Sequence, residues 1–461
     1  MESMISHHKI AEPYEDQAMR GKRIVLVGAG SAQFGVGTVA DILISKVLSG
    51  GTIVLHDINP ESLDTVRQAC QMAIDEMKLD FSLEATTSRP EALENADFVI
   101  ISIEVGDRFK LWEQDYEVPR KCGNRQIFGE NGGPGGLFHS LRIIPPVIDI
   151  CDDIQKICPN AWVINFSNPM SRICLAIKRK FGSKVKAVGL CHEISFAENY
   201  LPEMLNTPFS NLEIKAGGLN HFGILLEVRY KDTGTDAYPD IREKGRAYFD
   251  TVRASDEIRY DRADRSLALV MEMLRIYNYL PYTHDSHFGE YIQWAWECAD
   301  HARIREFYEI YKLFCLEQPK QLERIVEEKQ PANMWLSPSG ERAIPIIEGI
   351  VTDSKHYELS VNLPNEGIIE NLPQDLVVEC AATVDKNGVH GVKLGEIPSG
   401  LAGLMRNQAT VQDLTVEAAL TGSKQKALEA LLADPVVDSL SSAEKMLDEI
   451  LQLQGQYVKL K

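Results

Sequence analysis

A series of short apolar runs, each followed by a glycine or a polar residue and then by a helical stretch, constrains this chain more than any other feature. Arg23-Ile24-Val25-Leu26-Val27 leads into Gly28-Ala29-Gly30-Ser31, and Thr52 to His56 ends on Asp57. A shorter run lies at 82–86, and another covers 98–103. Ala161 to Phe166 ends at Ser167-Asn168-Pro169, and Lys186 to Leu190 ends at Cys191-His192-Glu193. Strands alternating with helices form βαβ units and a parallel sheet. Continuous apolar strands are expected where helices cover both faces. The fold class is therefore α/β, with a Rossmann-like N-terminal domain. Polar residues at the carboxyl ends of such strands lie where open sheets bind ligands.

A chain of 461 residues exceeds one ordinary core. The pattern predicts an N-terminal arm at 1–20, a first domain of βαβ units at 21–195 and a second domain at 196–461. Helices are expected at 59–79, 141–158 and 171–181. Mixed strands are expected at 212–230, long helices at about 240–280 and 288–330, a Pro- and Asn-rich loop at 359–375, and two or three final helices. No internal repeat is evident.

The net charge of −19 argues against a general nucleic-acid or anionic-membrane binder, because phosphate affinity rests on basic patches. The nine cysteines are scattered, odd in number and without a CxxC pair, which reads as a reduced, cytoplasmic protein. The first twenty residues are polar and carry no apolar signal segment, and no run is long enough to span a membrane. His7 and His8, in that arm, are expected to be solvent-exposed rather than ligands.

Gly28-x-Gly30 sits directly after one strand and before one helix. The first glycine permits the tight turn, and the second lets a pyrophosphate approach the helix N-terminus. Asp57 ends the next strand, where an acid accepts from the adenosine ribose and repels a 2′-phosphate, favouring NAD over NADP. Gln33 stands where the usual fingerprint has its third glycine. Ser31, Gln33, Phe34 and Ile103 are the further candidates for the cofactor cleft.

Together with Gly28-Ala29-Gly30-Ser31, the segments Asn131-Gly132-Gly133-Pro134-Gly135-Gly136, Asn168-Pro169, Cys191-His192-Glu193 and Gly218-Leu219-Asn220-His221 occur in the order seen in glycoside hydrolase family 4. Asn362-Leu363-Pro364-Asn365-x-Gly367, Asn371-Leu372-Pro373 and Val377-Val378-Glu379 extend the likeness. The chain thus resembles that family from about residue 22 to about residue 440. The resemblance implies that 21–195 is an NAD-binding domain and 196–461 a substrate- and metal-binding C-terminal domain like that of lactate and malate dehydrogenases, with bound NAD and a divalent metal, usually manganese. It implies α-glycoside hydrolysis by transient oxidation at C3 of the sugar, C2 deprotonation, elimination and water addition; NAD-dependent members stand outside two-carboxylate glycoside hydrolysis.

Cys191 and His221 match the family's metal ligands. A metal holds a thiol as thiolate, and a Lewis acid stabilises charge on sugar oxygens. Read without the resemblance, each would more often be a packing residue. In the family the motif after the cysteine tracks substrate; Cys-His-Glu resembles the α-glucosidase group, and the missing proline argues against a 6-phosphate. His192 takes the position of the acid catalyst in phospho-specific members. Asp285, in Tyr282-Thr283-His284-Asp285-Ser286-His287, is the best match for the proton-abstracting base, with His287 and Tyr282 as alternatives; a helix cap is the competing reading. Asn168, Glu130, His192, Glu193 and His287 are the candidate substrate contacts. Glu130 and Asn131 open a glycine-rich loop that could close over the nicotinamide. Trp112, Trp294 and Trp296 are possible sugar platforms, with core packing the commoner role.

α-Galactosidase, α-galacturonidase, α-glucuronidase and sulfonated-sugar glycosidase activities remain open within the family. A 2-hydroxy-acid dehydrogenase on the same fold would need an arginine for the carboxylate, and Arg142 and Arg172 exist, but Cys191 and His221 would then have no role. A nucleotide-binding sensor without chemistry would be favoured if Cys191, His221 and Asp285 did not converge. A homodimer or homotetramer is expected by resemblance.

Overall fold

The structure, a computed structural model, describes residues 21–31, 34–255 and 264–461. The arm at 1–20 with His7 and His8, Gln33, and the side chain of Phe34 lie outside the described residues.

Strands β1 (Arg23–Val27), β2 (Thr52–His56), β3 (Ser82–Thr86), β4 (Phe98–Ile101), β5 (Trp162–Asn165) and β6 (Lys186–Gly189) are parallel, in the order β3-β2-β1-β4-β5-β6. This is the Rossmann order. Alternate residues of β1 serve opposite faces: Ile24 and Leu26 belong to one apolar cluster, Val25 and Val27 to another. The same division holds for Phe98 and Ile100 against Val99 and Ile101 in β4. Helices cover both faces, which is why these strands read as unbroken apolar runs.

The sheet continues past β6 through the second half of the chain. There β10 (His356–Pro364), β11 (Val377–Asp385), β7 (Leu212–Leu219), β8 (Phe222–Tyr230) and β9 (Leu280–Pro281) follow in antiparallel order, and β12 (Gly388–Gly391) pairs with β11. The seam is β10 against β6, through Asn362 and Gly189. Among the described residues, one twelve-stranded sheet therefore carries both halves.

This corrects the expected loop at 359–375. Its first part is a central strand, hidden by the polar residues it buries. Glu358 is paired with Arg342, Ser360 donates to Glu379, and Asn362 faces the carbonyl of Gly189. Buried polar groups are tolerated when hydrogen-bonded, so the strand does not show an apolar pattern. The expected helix at 141–158 begins earlier and spans Gly133–Ile157, with Pro134 near its N-terminus, where proline is tolerated. The stretch at 240–280 holds two helices, Tyr238–Ala254 and Ala268–Tyr277, rather than one. The stretch at 288–330 contains one long helix, His301–Glu328.

Three final helices, Ser399–Thr421, Lys424–Ala433 and Leu440–Gln454, return to the N-terminal half. They share an apolar cluster with Leu137, Phe138 and Leu141 of the helix Gly133–Ile157. Among the described residues, no helix is long and apolar enough to cross a membrane.

Candidate active site

The carboxyl ends of the parallel strands and the β7–β8 turn open on one cavity of about 940 Å³. Its first end is built by β1 and β2. Gly28 has φ +91°, and a Cβ there would lie 2.0 Å from the carbonyl oxygen of Ser102, so only glycine fits. Gly30 donates its N–H to Asp57 Oδ2 at 2.8 Å, and Asn59 donates to Oδ1 at 2.8 Å. Asp57 is thereby fixed at the cavity wall with Gly28, Gly30 and Ser31. Ile103 lies further along, where its N–H donates to Ser167 Oγ at 2.8 Å. These features suit a dinucleotide laid over the first strand–helix turn.

The other end brings together residues from three segments of the chain. Cys191 follows β6, and His221 sits in the β7–β8 turn at φ +60°. Cys191 Sγ lies 3.2 Å from His221 Nε2. The ring of His287 stacks on that of His221 at 4.4 Å between centroids. Ligand atoms of Glu193, His221 and His287 lie within 4.8 Å of one another. Thr283 donates its hydroxyl to Glu193.

Electrostatics divide these groups. Burial, reinforced by His287, holds the pKa of His221 well below the usual histidine value, so its imidazole is neutral, and its Nδ1 has no protein partner. Burial, with Glu379 and Glu193 nearby, pushes the Cys191 thiol well up. A divalent metal would reverse that preference, because a coordinating thiol is deprotonated outright. The donor set of one thiol and one neutral imidazole, with Glu193 and His287 adjacent, fits such an ion with positions left for substrate oxygens. Burial opposes charge on Glu193, but the surrounding histidines, His287 foremost, bring its carboxyl down to about 2.

His192 faces the open cavity and keeps 63% of its side-chain surface. Its Nδ1 lies 3.4 Å from Glu341 and its Nε2 3.9 Å from Glu193. Enclosure by the cavity walls opposes its charge, yet those carboxylates raise its pKa to about 9. Asn168 also lines the cavity, and its Oδ1 is a buried acceptor without a protein donor.

Asp285 is not in this cavity, which corrects its expected place as the base. It is fully buried, and its oxygens accept from the N–H groups of Leu269 at 3.0 Å, Val270 at 3.0 Å and Asp300 at 2.9 Å. Leu269 and Val270 lie in the first turn of the helix Ala268–Tyr277, so the carboxylate caps that helix from a distance. A base must reach the proton it removes, and Asp285 points elsewhere.

Glu130 does reach the cavity, with Oε1 at 3.2 Å from Arg108 and Oε2 at 3.9 Å from His287 Nδ1. The glycine-rich loop behind it is already engaged. Glu290 accepts from the N–H groups of Glu130 at 2.5 Å, Asn131 at 3.1 Å and Gly132 at 3.0 Å. Among the predicted platforms, Trp112 is 5% exposed and packs edge-on against Phe128 and Tyr308. Trp296 lies in the short helix Ala295–Cys298 and packs on His301.

Glu341, Glu104, Arg108, Tyr311 and Glu290 are site residues that the sequence did not single out. Glu104 lies 3.5 Å from Arg108 and 3.5 Å from His139. Arg108 donates to Tyr311 Oη at 2.9 Å, across from the long helix His301–Glu328. Only Glu104, three residues past the end of β4 and next to Ile103, had a local signal that could have found it.

A family model described as family 4 glycosyl hydrolase matches residues 23–207, and one described as the family 4 glycosyl hydrolase C-terminal domain matches residues 216–437. The chain belongs to glycosyl hydrolase family 4. This family 4 chain is 46% identical to an α-glucosidase of Erwinia rhapontici, over 94% of this chain and 98% of the relative. It is 30% identical to an α-galactosidase of Bacillus subtilis, over 95% of this chain and 99% of the relative. A solved 6-phospho-α-glucosidase from gut microorganisms, in complex with NAD and Mn²⁺, superposes with a TM-score of 0.82 at 22% identity, covering 96% of this chain and 100% of that one. A malate dehydrogenase of Cryptosporidium parvum superposes with a TM-score of 0.52 at 17% identity, covering 87% of this chain and 100% of that one. The last two likenesses establish the shared fold, including the expected dehydrogenase-like second half.

Proposed function

We propose that this family 4 hydrolase cleaves α-glucosidic bonds of unphosphorylated substrates, with NAD along Gly28, Gly30, Ser31, Asp57 and Ile103 and a divalent metal such as Mn²⁺ held by Cys191 and His221. The observation that carries this reading is the 3.2 Å approach of Cys191 Sγ to His221 Nε2 in the same cavity as the dinucleotide turn. The 46% identical α-glucosidase supports the substrate, and the NAD- and Mn²⁺-bound 6-phospho-α-glucosidase of the same fold supports the cofactors.

When bound, NAD supplies reversible oxidation of a sugar carbinol carbon, and the metal supplies positive charge beside that carbon's oxygen. The chain's own groups do the rest. Burial opposes charge on His287 but Glu193 and Glu130 raise its pKa; in its neutral form, with Nδ1 towards Glu130, it takes the proton from C2 of the sugar at Nε2. With Asp285 occupied elsewhere, His287 is the base we assign among the described residues that line the cavity. His192, held between Glu341 and Glu193, carries a proton at neutral pH and gives it from Nε2 to the leaving oxygen. Asn168 Oδ1 accepts from a sugar hydroxyl.

Among the described residues lining the cavity, each arginine already has an acidic partner: Arg89 with Asp153, Arg108 with Glu104 and Glu130, and Arg142 with Asp115. That pairing disfavours a phosphorylated or carboxylated substrate and supports a neutral sugar. It also disfavours a hydroxy-acid dehydrogenase, and Arg172 is buried beside Ser140, away from the cavity. The 30% identical α-galactosidase keeps the galactoside reading open. We place the protein in the cytoplasm, supported by nine free cysteines, as a homodimer or homotetramer, supported by the family resemblance, and divide it at residue 195.

The test is release of p-nitrophenol from p-nitrophenyl α-D-glucopyranoside with NAD, Mn²⁺ and a thiol reductant, then with each omitted, and with 2-deuterated substrate. Release should need NAD and Mn²⁺, slow with deuterium at C2 and leave no net NADH. Release confined to the α-galactoside or an α-uronide would overturn the glucoside assignment. Cofactor-independent hydrolysis, or NADH accumulating with a hydroxy acid, would overturn the mechanism.

A further inference from the structure

The glycine-rich segment Gly129–Gly136 is built like an anion site. Gly129 has φ +77° and Gly133 has φ +61°, turning three successive N–H groups towards one point. That point lies at the N-terminus of the 25-residue helix Gly133–Ile157, where the helix dipole also favours negative charge. The segment is packed without slack. A Cβ at Gly135 would lie 2.3 Å from the carbonyl oxygen of Gly129, and one at Gly136 would lie 2.3 Å from the carbonyl carbon of Asn131.

The anion is supplied by the protein itself. Glu290, 1% exposed and 160 positions from Glu130, places both carboxylate oxygens in this concavity. Among the described residues, its hydrogen-bond partners are backbone N–H donors. The three N–H donors favour the ionised form, against burial, which pushes the carboxyl up to about 8. Glu290 has no direct access to the cavity, whereas Glu130 does, and Glu130 stands between Arg108 and His287.

We propose that Glu290 is a positioning residue: an internal anion that locks the backbone of residues 130–132 so that the Glu130 carboxylate stays aimed at His287. The inference rests on the functional reading above, because its output is the alignment of the proposed base. A misplacement of about 1 Å at such a group lowers turnover by about 100-fold.

The test uses E290A holoprotein, loaded with NAD and Mn²⁺, on whichever α-glycoside the wild type cleaves. Truncation leaves three N–H groups around a space the size of a small carboxylate. We expect kcat to fall about 100-fold, with KM moving far less. Added formate should restore turnover saturably and raise the melting temperature, whereas chloride at the same ionic strength should not. Unchanged turnover in E290A, or lost turnover that formate does not restore, would overturn the proposal. If E290A does not fold, E290Q is compared with E130Q and with the double variant. Action through Glu130 requires the double variant to be no slower than E130Q; additive losses would reject it. Because the wild type is assayed alongside, failure of the glycosidase reading shows in the wild type and failure of this inference only in the variants.

Discussion

Cys191 Sγ and His221 Nε2 lie 3.2 Å apart, although two strands, β10 and β11, stand between β6 and β7 in the sheet. The contact is made above the seam, where the loop after the last parallel strand meets the turn of an antiparallel hairpin. Replacing either residue should therefore remove the metal without unfolding the sheet. C191S or H221A should lower activity by more than the ~10–100-fold that loss of an outer-shell partner costs. Titration with Co²⁺ should show a thiolate charge-transfer band in the wild type and none in C191S. An unchanged band in C191S would place the metal elsewhere.

Asp285 should behave as a structural carboxylate. D285A leaves three buried N–H groups without an acceptor, at a cost of about 3–5 kcal/mol in stability. D285N keeps one acceptor oxygen and should cost less. Chemical denaturation measures both, and activity per folded molecule should stay near that of the wild type. A stable D285N protein with collapsed turnover would return Asp285 to the role of base.

The same group predicts a pH dependence of stability. Burial, opposed by the three N–H donors, raises the Asp285 pKa to about 7, against about 3.9 in an unfolded chain. Between these values the folded state holds a proton that the unfolded state has released, so stability falls as pH rises from about 4 to about 7 and then levels. The contribution is at most about 1.4 kcal/mol per pH unit in that window. Denaturation midpoints taken from pH 5 to pH 8 should show a downward slope that D285N flattens. Glu193 acts with the opposite sign: its lowered carboxyl stabilises above about pH 4 and is lost as pH falls towards 2.

Asp57 should decide the cofactor. Its two oxygens accept from Gly30 and Asn59, which fixes its position at the cavity wall. D57A should weaken NAD by at least about tenfold, equal to about 1.4 kcal/mol, and should narrow the preference over NADP. Calorimetric titration with both nucleotides reads this directly. An unchanged NAD affinity would move the adenosine elsewhere in the cavity.

Adjacency in the chain explains which parts of this site were legible. The strand-turn-helix at Gly28 and the acid at Asp57 are contiguous signals, because a tight turn and a strand end are local events. Cys191 and His221 were found only through family likeness, since neither spacing nor polarity marks a ligand pair drawn from different strands. The strand His356–Pro364 was missed because Glu358, Ser360 and Asn362 are buried with partners, and burial with partners leaves no apolar imprint.

The residues alone determined that this chain makes a parallel nucleotide-binding sheet, since apolar runs of that length and period have one way to be covered. The tertiary structure decided which acid serves which end. Asp285 and His287 are two positions apart, yet one caps a buried helix and the other stacks on His221 in the cavity. Glu290, three residues further, turns back to hold the loop at 130–132. A carboxylate takes whichever donors the fold brings to it, and those donors come from parts of the chain far away in sequence.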